Sequence, residues 1–313
     1  MWRELTKSYD RQQRDEHHIL AQIGNTPLLR LRRLAPENPR VRIYAKAEWF
    51  NPGGSIKDRP ALRIIEEAER QGTLRPGKTI IDATSGNTGI GYALVGAAKG
   101  YPVTLVMPAG VTVERKRIVQ AYGAELIETP AEEGIDGAIR FVHDLVARYP
   151  ERYFHADQYN NPANWRAHYE TTGPEIWTQT DGRITHFVAG LGTTGTMTGV
   201  GRFLREMNPD VCLVGVQPID GKQGIEGLKH LASSLVPGIW DPALPDLLIH
   251  VAREDVWEMA RRLARIEGWF VGLSAAAAIL ASLRLADTLD EATIVTVLPD
   301  AGLKYVSLGI WGT

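Results

Sequence analysis

The sequence contains one cysteine among 313 residues, so a disulfide cannot form within the chain. This composition is typical of a reducing compartment, and we expect the protein to be cytoplasmic. The cysteine itself, Cys212, lies in the apolar run at residues 211–216. A thiol in that setting is predicted to be buried and structural rather than a nucleophile.

The sequence also lacks an excess of positive charge and any long apolar run. Its formal net charge is −2, which provides no basic surface for nucleic acid or anionic lipid. No apolar run approaches the ~20 residues that a membrane-spanning helix needs. We therefore expect neither nucleic acid nor a membrane as a partner.

The first 22 residues are polar and mixed in charge, and they predict a partly helical arm rather than a signal peptide. Asp15, Glu16, His17 and His18 are residue types that bind metals. Because adjacent side chains on a helix diverge, we interpret them as a solvated helix end and predict no metal site.

The rest of the chain alternates short apolar runs with amphipathic segments, which predicts an α/β fold. Several runs are apolar without interruption, as in strands of parallel sheets that helices cover on both faces. The predicted strands are 41–47, 79–82, 103–107, 125–128, 184–188, 212–216 and 293–298, and the predicted helices include 90–99, 114–121, 134–147 and 197–207.

A turn at residues 51–59 (NPGGSIKDR) connects the strand at 41–47 to a helical pattern that begins near Ala61. It places Lys57 at the helix start, where the helix dipole disfavours a cation. We expect this to lower the pKa of the lysine. The neutral amine is the form that makes a Schiff base.

Two more loops follow a strand and precede a helix. The loop at 84–89 (TSGNTG) offers hydroxyls, an amide and free backbone N–H groups at a helix start, which suit a carboxylate or phosphate. The loop at 190–196 (GLGTTGT) matches the dinucleotide pattern G-x-G-x-x-G. A dinucleotide site also needs an acid after the next strand, and Gln217 is found there. The threonines fit a bare phosphate better.

An amine and two anion-binding loops together suggest pyridoxal 5'-phosphate, which needs an attachment lysine and a phosphate cup. On these motifs the chain resembles the cysteine synthase family of fold-type II (tryptophan synthase β-like) pyridoxal-phosphate enzymes. Further matching segments are GNTPL at 24–28, QYNNP at 158–162 and TTGPEIW at 171–177. The resemblance implies two three-layer αβα domains with mostly parallel sheets, a smaller one at 51–161 and a larger one at 1–50 plus 162–313.

The resemblance also implies a role for each matching residue. Lys57 resembles the Schiff-base lysine and the base for the substrate α-proton. Asn87 resembles the residue beside the ring hydroxyl, and Ser274 the serine that faces the ring nitrogen at a helix start, where it could also be a plain N-cap. The substrate carboxylate is expected at Thr84, Ser85, Gly86, Thr88 and Gln158, and the phosphate at Gly192, Thr193, Thr194, Gly195 and Thr196.

Two segments depart from the usual family pattern. Residues 300–305 (DAGLKY) stand where Ser-Gly-Glu-Arg-Tyr is common, and 224–230 (GIEGLKH) replace a glycine- and alanine-rich loop. The second segment resembles cysteine synthase B and the phosphoserine-using branch, which have a basic residue at the position of Lys229. Lys229 is therefore a candidate substrate-binding residue, although a lysine in a solvated loop would give the same sequence.

The implied activity is replacement of the β-substituent of an activated serine, O-acetylserine or O-phosphoserine, by a sulfur nucleophile to give cysteine or an S-substituted cysteine. The substrates are small molecules, and the resemblance implies a homodimer. Cystathionine β-synthase chemistry is the enzymatic alternative. A non-catalytic binding protein with this fold and an NAD-dependent dehydrogenase are also compatible with parts of the pattern.

Overall fold

The computed structural model describes residues 18–222 and 224–312. Most of the expected N-terminal arm lies outside these residues. Within them, Ile19–Gln22 forms a short 3₁₀ turn that begins at His18, whose side chain accepts a hydrogen bond from the backbone of Leu20. In the described part of the chain, no helix combines the length and the apolar character needed to cross a membrane.

Ten strands occur in the described residues: β1 (Leu28–Arg30), β2 (Val41–Ala47), β3 (Thr79–Ala83), β4 (Val103–Pro108), β5 (Glu125–Thr129), β6 (Tyr153–His155), β7 (His186–Gly190), β8 (Cys212–Pro218), β9 (Leu247–Val251) and β10 (Ala292–Leu298). They form two sheets, one in the order β5-β4-β3-β6 and one in the order β1-β2-β10-β7-β8-β9. Only the β1–β2 pairing is antiparallel among these strands.

The α-helices of the same residues are α1 (Asp58–Arg70), α2 (Asn87–Lys99), α3 (Val113–Ala121), α4 (Gly134–Arg148), α5 (Ala163–Ala167), α6 (Gly173–Gln179), α7 (Gly195–Met207), α8 (Arg253–Arg262) and α9 (Leu273–Ala286). A π-helical turn, His168–Thr172, joins α5 to α6. Another, Leu263–Glu267, follows α8, and a 3₁₀ helix, Gly302–Leu308, follows β10.

Each sheet is covered on both faces, as uninterrupted apolar strands require. In the larger sheet, Val188 of β7 belongs to one core cluster with α8 and α9, whereas its neighbour Phe187 belongs to another with α7. In the smaller sheet, Ile80 of β3 packs with α1 and α2, whereas Ile81 packs with α4. This alternation confirms the predicted α/β architecture with two sheets covered on both faces.

The smaller sheet draws its strands from residues 79–155, and the larger one from 28–47 and 186–298. This distribution is compatible with the expected division into 51–161 and 1–50 plus 162–313. The domain boundaries themselves stay a prediction.

Most predicted elements are present with ends shifted by one to three residues. The strand predicted at 184–188 begins two residues later, at His186. The helix predicted near Ile90 begins at Asn87, so Asn87 and Thr88 belong to its first turn. Cys212 opens β8 and is half-buried rather than fully buried.

A buried ion network holds α1 against both halves of the chain. The guanidinium of Arg59 donates to both carboxylate oxygens of Glu48, at 2.8 Å each, and to Glu175 of α6 at 2.7 and 2.8 Å. The hydroxyl of Thr26 also donates to Glu48. Because Arg59 lies two residues after Lys57, this network fixes the start of the helix that carries the candidate lysine.

We predict that Arg59→Ala destabilises the cofactor-free protein by about 3–5 kcal/mol, because Glu48 is left buried without its cation and Glu175 keeps only Lys46, at 2.6 Å. The measurement is the urea unfolding midpoint. The control is Arg75→Ala, since the Arg75–Glu151 pair is exposed (side chains 64% and 85%) and contributes little. Equal shifts for the two variants would contradict the structural role of the network.

Candidate active site

A cavity of about 550 Å³ lies where the loops after the strands of the two sheets face each other. Its position matches the rule that ligands of parallel α/β sheets bind beyond the carboxyl ends of the strands. Ten of the residues predicted from the sequence line it: Lys57, Thr84, Ser85, Gly86, Asn87, Thr88, Gln158, Gly192, Thr193 and Lys229. Residues distant in sequence are therefore brought together around one cavity.

Lys57 occupies the N-cap position of α1, at the end of a turn in which Gly54 has a left-handed backbone (φ +73°). Its environment lowers the pKa of the amine to about 8. The largest cause is desolvation, and the charge of Asp300 opposes it. The expected lowering of the lysine pKa is confirmed, but its main cause is burial and not the helix dipole.

The loop between β3 and α2 presents polar groups toward the same cavity. The hydroxyl of Thr84 accepts hydrogen bonds from the backbone N–H groups of Gly86 and Gly89. The hydroxyl of Thr88 donates to Gln158 at 2.6 Å, and Gln158 donates to the carbonyl of Ala83 at 2.8 Å. Gln158 is thus held against the start of α2, where backbone N–H groups favour an anion.

The loop between β7 and α7 is a tight cradle. A Cβ on Gly192 would lie 2.6 Å from the carbonyl oxygen of Gly227, and a Cβ on Gly195 would collide with the Asn164 side chain. Thr194 has a left-handed backbone (φ +68°), which a β-branched residue rarely adopts. Its hydroxyl is buried without a hydrogen-bond partner among the described residues. An unsatisfied buried hydroxyl at a helix start is a place for an anionic acceptor.

Four predicted residues lie behind the lining of the cavity: Thr194, Gly195, Thr196 and Ser274. Thr196 is buried in the first turn of α7. Ser274 is buried as the second residue of α9, whose N-cap is Gly272, so the interpretation of Ser274 as an N-cap is wrong. It lies beneath the cavity-lining Gly227, since a Cβ on that glycine would lie 3.2 Å from the serine Oγ.

A second group of charged residues at the site was not predicted from the sequence. Arg115 donates to the carbonyl of Ser85 at 2.6 Å and forms an ion pair with Glu226 at 2.9 Å. Behind Asn87, Asp300 and Lys304 are buried and hydrogen-bonded to its side-chain amide. For Asp300 and Lys304, the departure from the usual family pattern at 300–305 was the sequence feature that could have revealed them.

Lys229 lines the cavity, but its charge has a partner. Its amine lies 3.4 Å from Asp136, 3.3 Å from the carbonyl of Leu235 and 4.9 Å from the ring centre of Tyr159. The side chain is 9% exposed, so the interpretation as a solvated loop lysine is wrong. Whether it contacts a substrate stays a prediction.

The family model described as "Pyridoxal-phosphate dependent enzyme" matches residues 19–300. Among curated relatives, cysteine synthase of Aquifex aeolicus is 53% identical over 94% of this chain and 91% of its own. Cysteine synthase B of Escherichia coli is 45% identical over 93% and 94%. This chain belongs to the cysteine synthase family of pyridoxal-phosphate dependent enzymes. The family assignment makes pyridoxal phosphate the cofactor.

The solved structure of O-acetyl serine sulfhydrylase isoform 3 from Entamoeba histolytica has the same fold. It superposes with a TM-score of 0.89 at 39% identity, covering 96% of this chain and 93% of that one. The tryptophan synthase β-like architecture expected from the motifs is thereby confirmed. Because the family binds pyridoxal phosphate, the interpretation of the loop at 190–196 as a dinucleotide site is wrong. Gln217, at the position where a dinucleotide site needs an acid, is hydrogen-bonded to His250 at 2.8 Å.

The residues of the cavity fit this cofactor. The partnerless hydroxyl of Thr194 and the glycine cradle suit a phosphate at the start of α7. Lys57 would supply an amine of lowered pKa for the aldehyde, Asn87 offers a polar side chain on the cavity wall, and Ser274 lies beneath the cavity-lining Gly227. These individual assignments stay proposals.

We predict that Thr194→Val weakens pyridoxal phosphate binding by about ten- to a hundredfold, the effect of losing one hydrogen bond to a charged group. Because the hydroxyl has no partner in the described protein, the cofactor-free variant should unfold at an unchanged temperature.

The control is Thr198→Val in the same helix, whose hydroxyl donates to the Ile239 carbonyl at 3.3 Å. That variant should keep its cofactor affinity. Unchanged affinity in Thr194→Val, measured by titration of the cofactor-free protein, would exclude a contact between this hydroxyl and the phosphate.

Proposed function

We propose that the chain makes cysteine by β-replacement on O-acetylserine, with Lys57 as the residue that carries the cofactor and moves the substrate proton. The observation that carries the proposal is the half-buried Lys57 on the wall of the cavity, where desolvation lowers the pKa of its amine to about 8. At pH 7 roughly a tenth of such an amine is neutral, far more than for an ordinary lysine.

Bound pyridoxal phosphate supplies an aldehyde that condenses with amines and a ring that withdraws electrons from the substrate Cα. The protein must then provide a base, an orientation and a place for the leaving group. Lys57 would hold the cofactor through its amine, and the Nζ of Lys57, when it is free, would be the base that takes the proton from the substrate Cα. Lys57 lines the cavity, so its amine would share that enclosed space with the substrate.

The substrate carboxylate is assigned to the start of α2. Thr84 and Ser85 offer hydroxyl donors there, and the backbone N–H groups of the first turn provide a positive end. The hydroxyl of Thr88 is donated to Gln158, so Thr88 would act through its backbone N–H. Gln158 is held in place from behind by its bond to the Ala83 carbonyl. A carboxylate fixed at this point orients Cα, because it is the substrate's one permanent anion in the O-acetyl ester.

We predict that Lys57→Ala abolishes both β-replacement and covalent attachment of the cofactor. The measurement is mass spectrometry after borohydride reduction, which should place the label on Lys57 in the parent protein. Lys304 provides the internal control, because it is a buried lysine that holds the Gly53 and Gly54 carbonyls of the same turn. A label on Lys304, or turnover by Lys57→Ala, would refute the assignment.

The charges at the far side of the cavity favour a neutral ester. Lys229 is paired with Asp136, and Arg115 with Glu226, so neither cation is left unpaired for a phosphate. Acetate leaves as a monoanion, whereas phosphate carries nearly two charges and needs more compensation. We therefore propose O-acetylserine as the preferred substrate. O-Phosphoserine is the second candidate, because the pair of Lys229 is long at 3.4 Å.

We predict that Asp136→Asn releases Lys229 and raises kcat/KM for O-phosphoserine about tenfold, with little change for O-acetylserine. Lys229→Ala should lower the O-phosphoserine value by about ten- to a hundredfold. In the double variant, the gain from Asp136→Asn should disappear. Equal effects of Lys229→Ala on both esters would mean that the lysine does not contact the leaving group.

The sulfur donor is decided by a second assay. Sulfide, thiosulfate and homocysteine can be offered after the first half-reaction, and the release of cysteine or an S-substituted product can be followed. Faster turnover with homocysteine would support cystathionine β-synthase chemistry. Binding of the cofactor without turnover of either ester would support a non-catalytic role.

A homodimer in the cytoplasm completes the proposal. The location rests on the single cysteine of the sequence, and the dimer rests on the family resemblance. Light scattering on the purified protein measures the oligomeric state directly. A mass near 34.6 kDa, that of one chain, would exclude the dimer.

A further inference from the structure

The side-chain amide of Asn87 is held from both ends by buried charges. Its Oδ1 accepts a hydrogen bond from the amine of Lys304 at 2.9 Å. Its Nδ2 donates to Asp300 Oδ2 at 2.7 Å. Asp300 and Lys304 are 0% and 7% exposed, so these are charge-assisted bonds in a desolvated setting.

The two charged residues are themselves fixed by other groups. The amine of Lys304 also donates to the carbonyls of Gly53 and Gly54, at 3.0 Å each, so its three N–H groups are all used. Asp300 Oδ2 accepts a second hydrogen bond, from the hydroxyl of Tyr305 at 2.7 Å. Neither residue can rotate away from Asn87 without losing these additional bonds.

This arrangement permits one orientation of the amide. If the amide flipped, its NH₂ group would face the ammonium of Lys304 and its carbonyl would face the carboxylate of Asp300. Both contacts would then be repulsive and both hydrogen bonds would be lost. In the observed orientation the bond to Asp300 uses one of the two N–H groups, and Asn87 lines the cavity, where the other can donate.

We propose that Lys304 and Asp300 are positioning residues that fix the amide of Asn87 so that its remaining N–H donates to an anionic ring oxygen of the cofactor. The inference rests on the proposed placement of Asn87 beside the ring. Asp300 and Lys304 would contact Asn87 and not the substrate. Both lie in the segment at 300–305, which departs from the usual family pattern, and the proposal gives that segment a function.

The test is a double-mutant cycle of Lys304→Met and Asn87→Ala, read as the affinity for pyridoxal phosphate. Lys304→Met alone should weaken binding about tenfold, because the Asn87 amide is then held only by its bond to Asp300 and its other N–H is no longer fixed in direction. In the Asn87→Ala background the same change should weaken binding by less than about threefold. A cycle is needed because Lys304 also supports Gly53 and Gly54.

A second measurement on the same proteins is the pH midpoint of the cofactor's visible absorption. An N–H donor stabilises the anionic ring oxygen, so Lys304→Met should move this midpoint to higher pH, and less so without Asn87. Circular dichroism of the cofactor-free variants checks folding. If Lys304→Met does not fold, Asp300→Asn, which keeps the side-chain size, enters the cycle in its place.

Three outcomes overturn the inference in distinguishable ways. Equal weakening by Lys304→Met in both backgrounds means that Lys304 acts through the turn and not through Asn87. Unchanged affinity in Asn87→Ala means that the proposed placement of Asn87 is itself wrong. Additive effects of Asp300→Asn and Asn87→Ala exclude Asp300 from the arrangement.

Discussion

The removal of water from the amine of Lys57 is the constraint on which the site depends. A lysine in water is almost entirely protonated at neutral pH and is a poor nucleophile and base. Here desolvation lowers its pKa to about 8, against the opposing charge of Asp300. That environment exists because two sheets direct their strand-end loops at each other, and because the turn before α1 is held to the segment after β10 by the Ile56–Pro299 and Ser55–Asp300 backbone contacts.

A site from which water is largely excluded requires each charged side chain around it to have a partner of opposite charge. The structure pairs Arg59 with Glu48 and Glu175 and Arg115 with Glu226 at less than 3 Å, and Lys229 with Asp136 at 3.4 Å. An unpaired buried ion would cost several kcal/mol, so each pair permits a charged group to lie near the cavity. The same pairing affects substrate specificity, because the phosphate of O-phosphoserine would have to compete with Glu226 or Asp136 for a cation.

Local sequence patterns were sufficient to predict the motifs that line the cavity. The 51–59 turn, the two glycine-containing loops and the strand–helix alternation predicted the cavity wall, because each of those signals lies within a few residues of chain. Local patterns could not predict the partners of Asn87. Asp300 and Lys304 lie 213 and 217 residues from Asn87 in the sequence, and only the folded chain brings these side chains together. The edge strand β9 was missed for a related reason, since Leu247 and Leu248 are exposed and their pairing with β8 is not encoded by a local alternation.

The surroundings of the Lys57 amine make it reactive before any cofactor binds. This reactivity is tested most directly by the pH dependence of reductive methylation of the cofactor-free protein with formaldehyde and cyanoborohydride, quantified at Lys57 by mass spectrometry. We expect a midpoint near pH 8 for this residue. A midpoint near the ordinary lysine value of about 10.4 would contradict it.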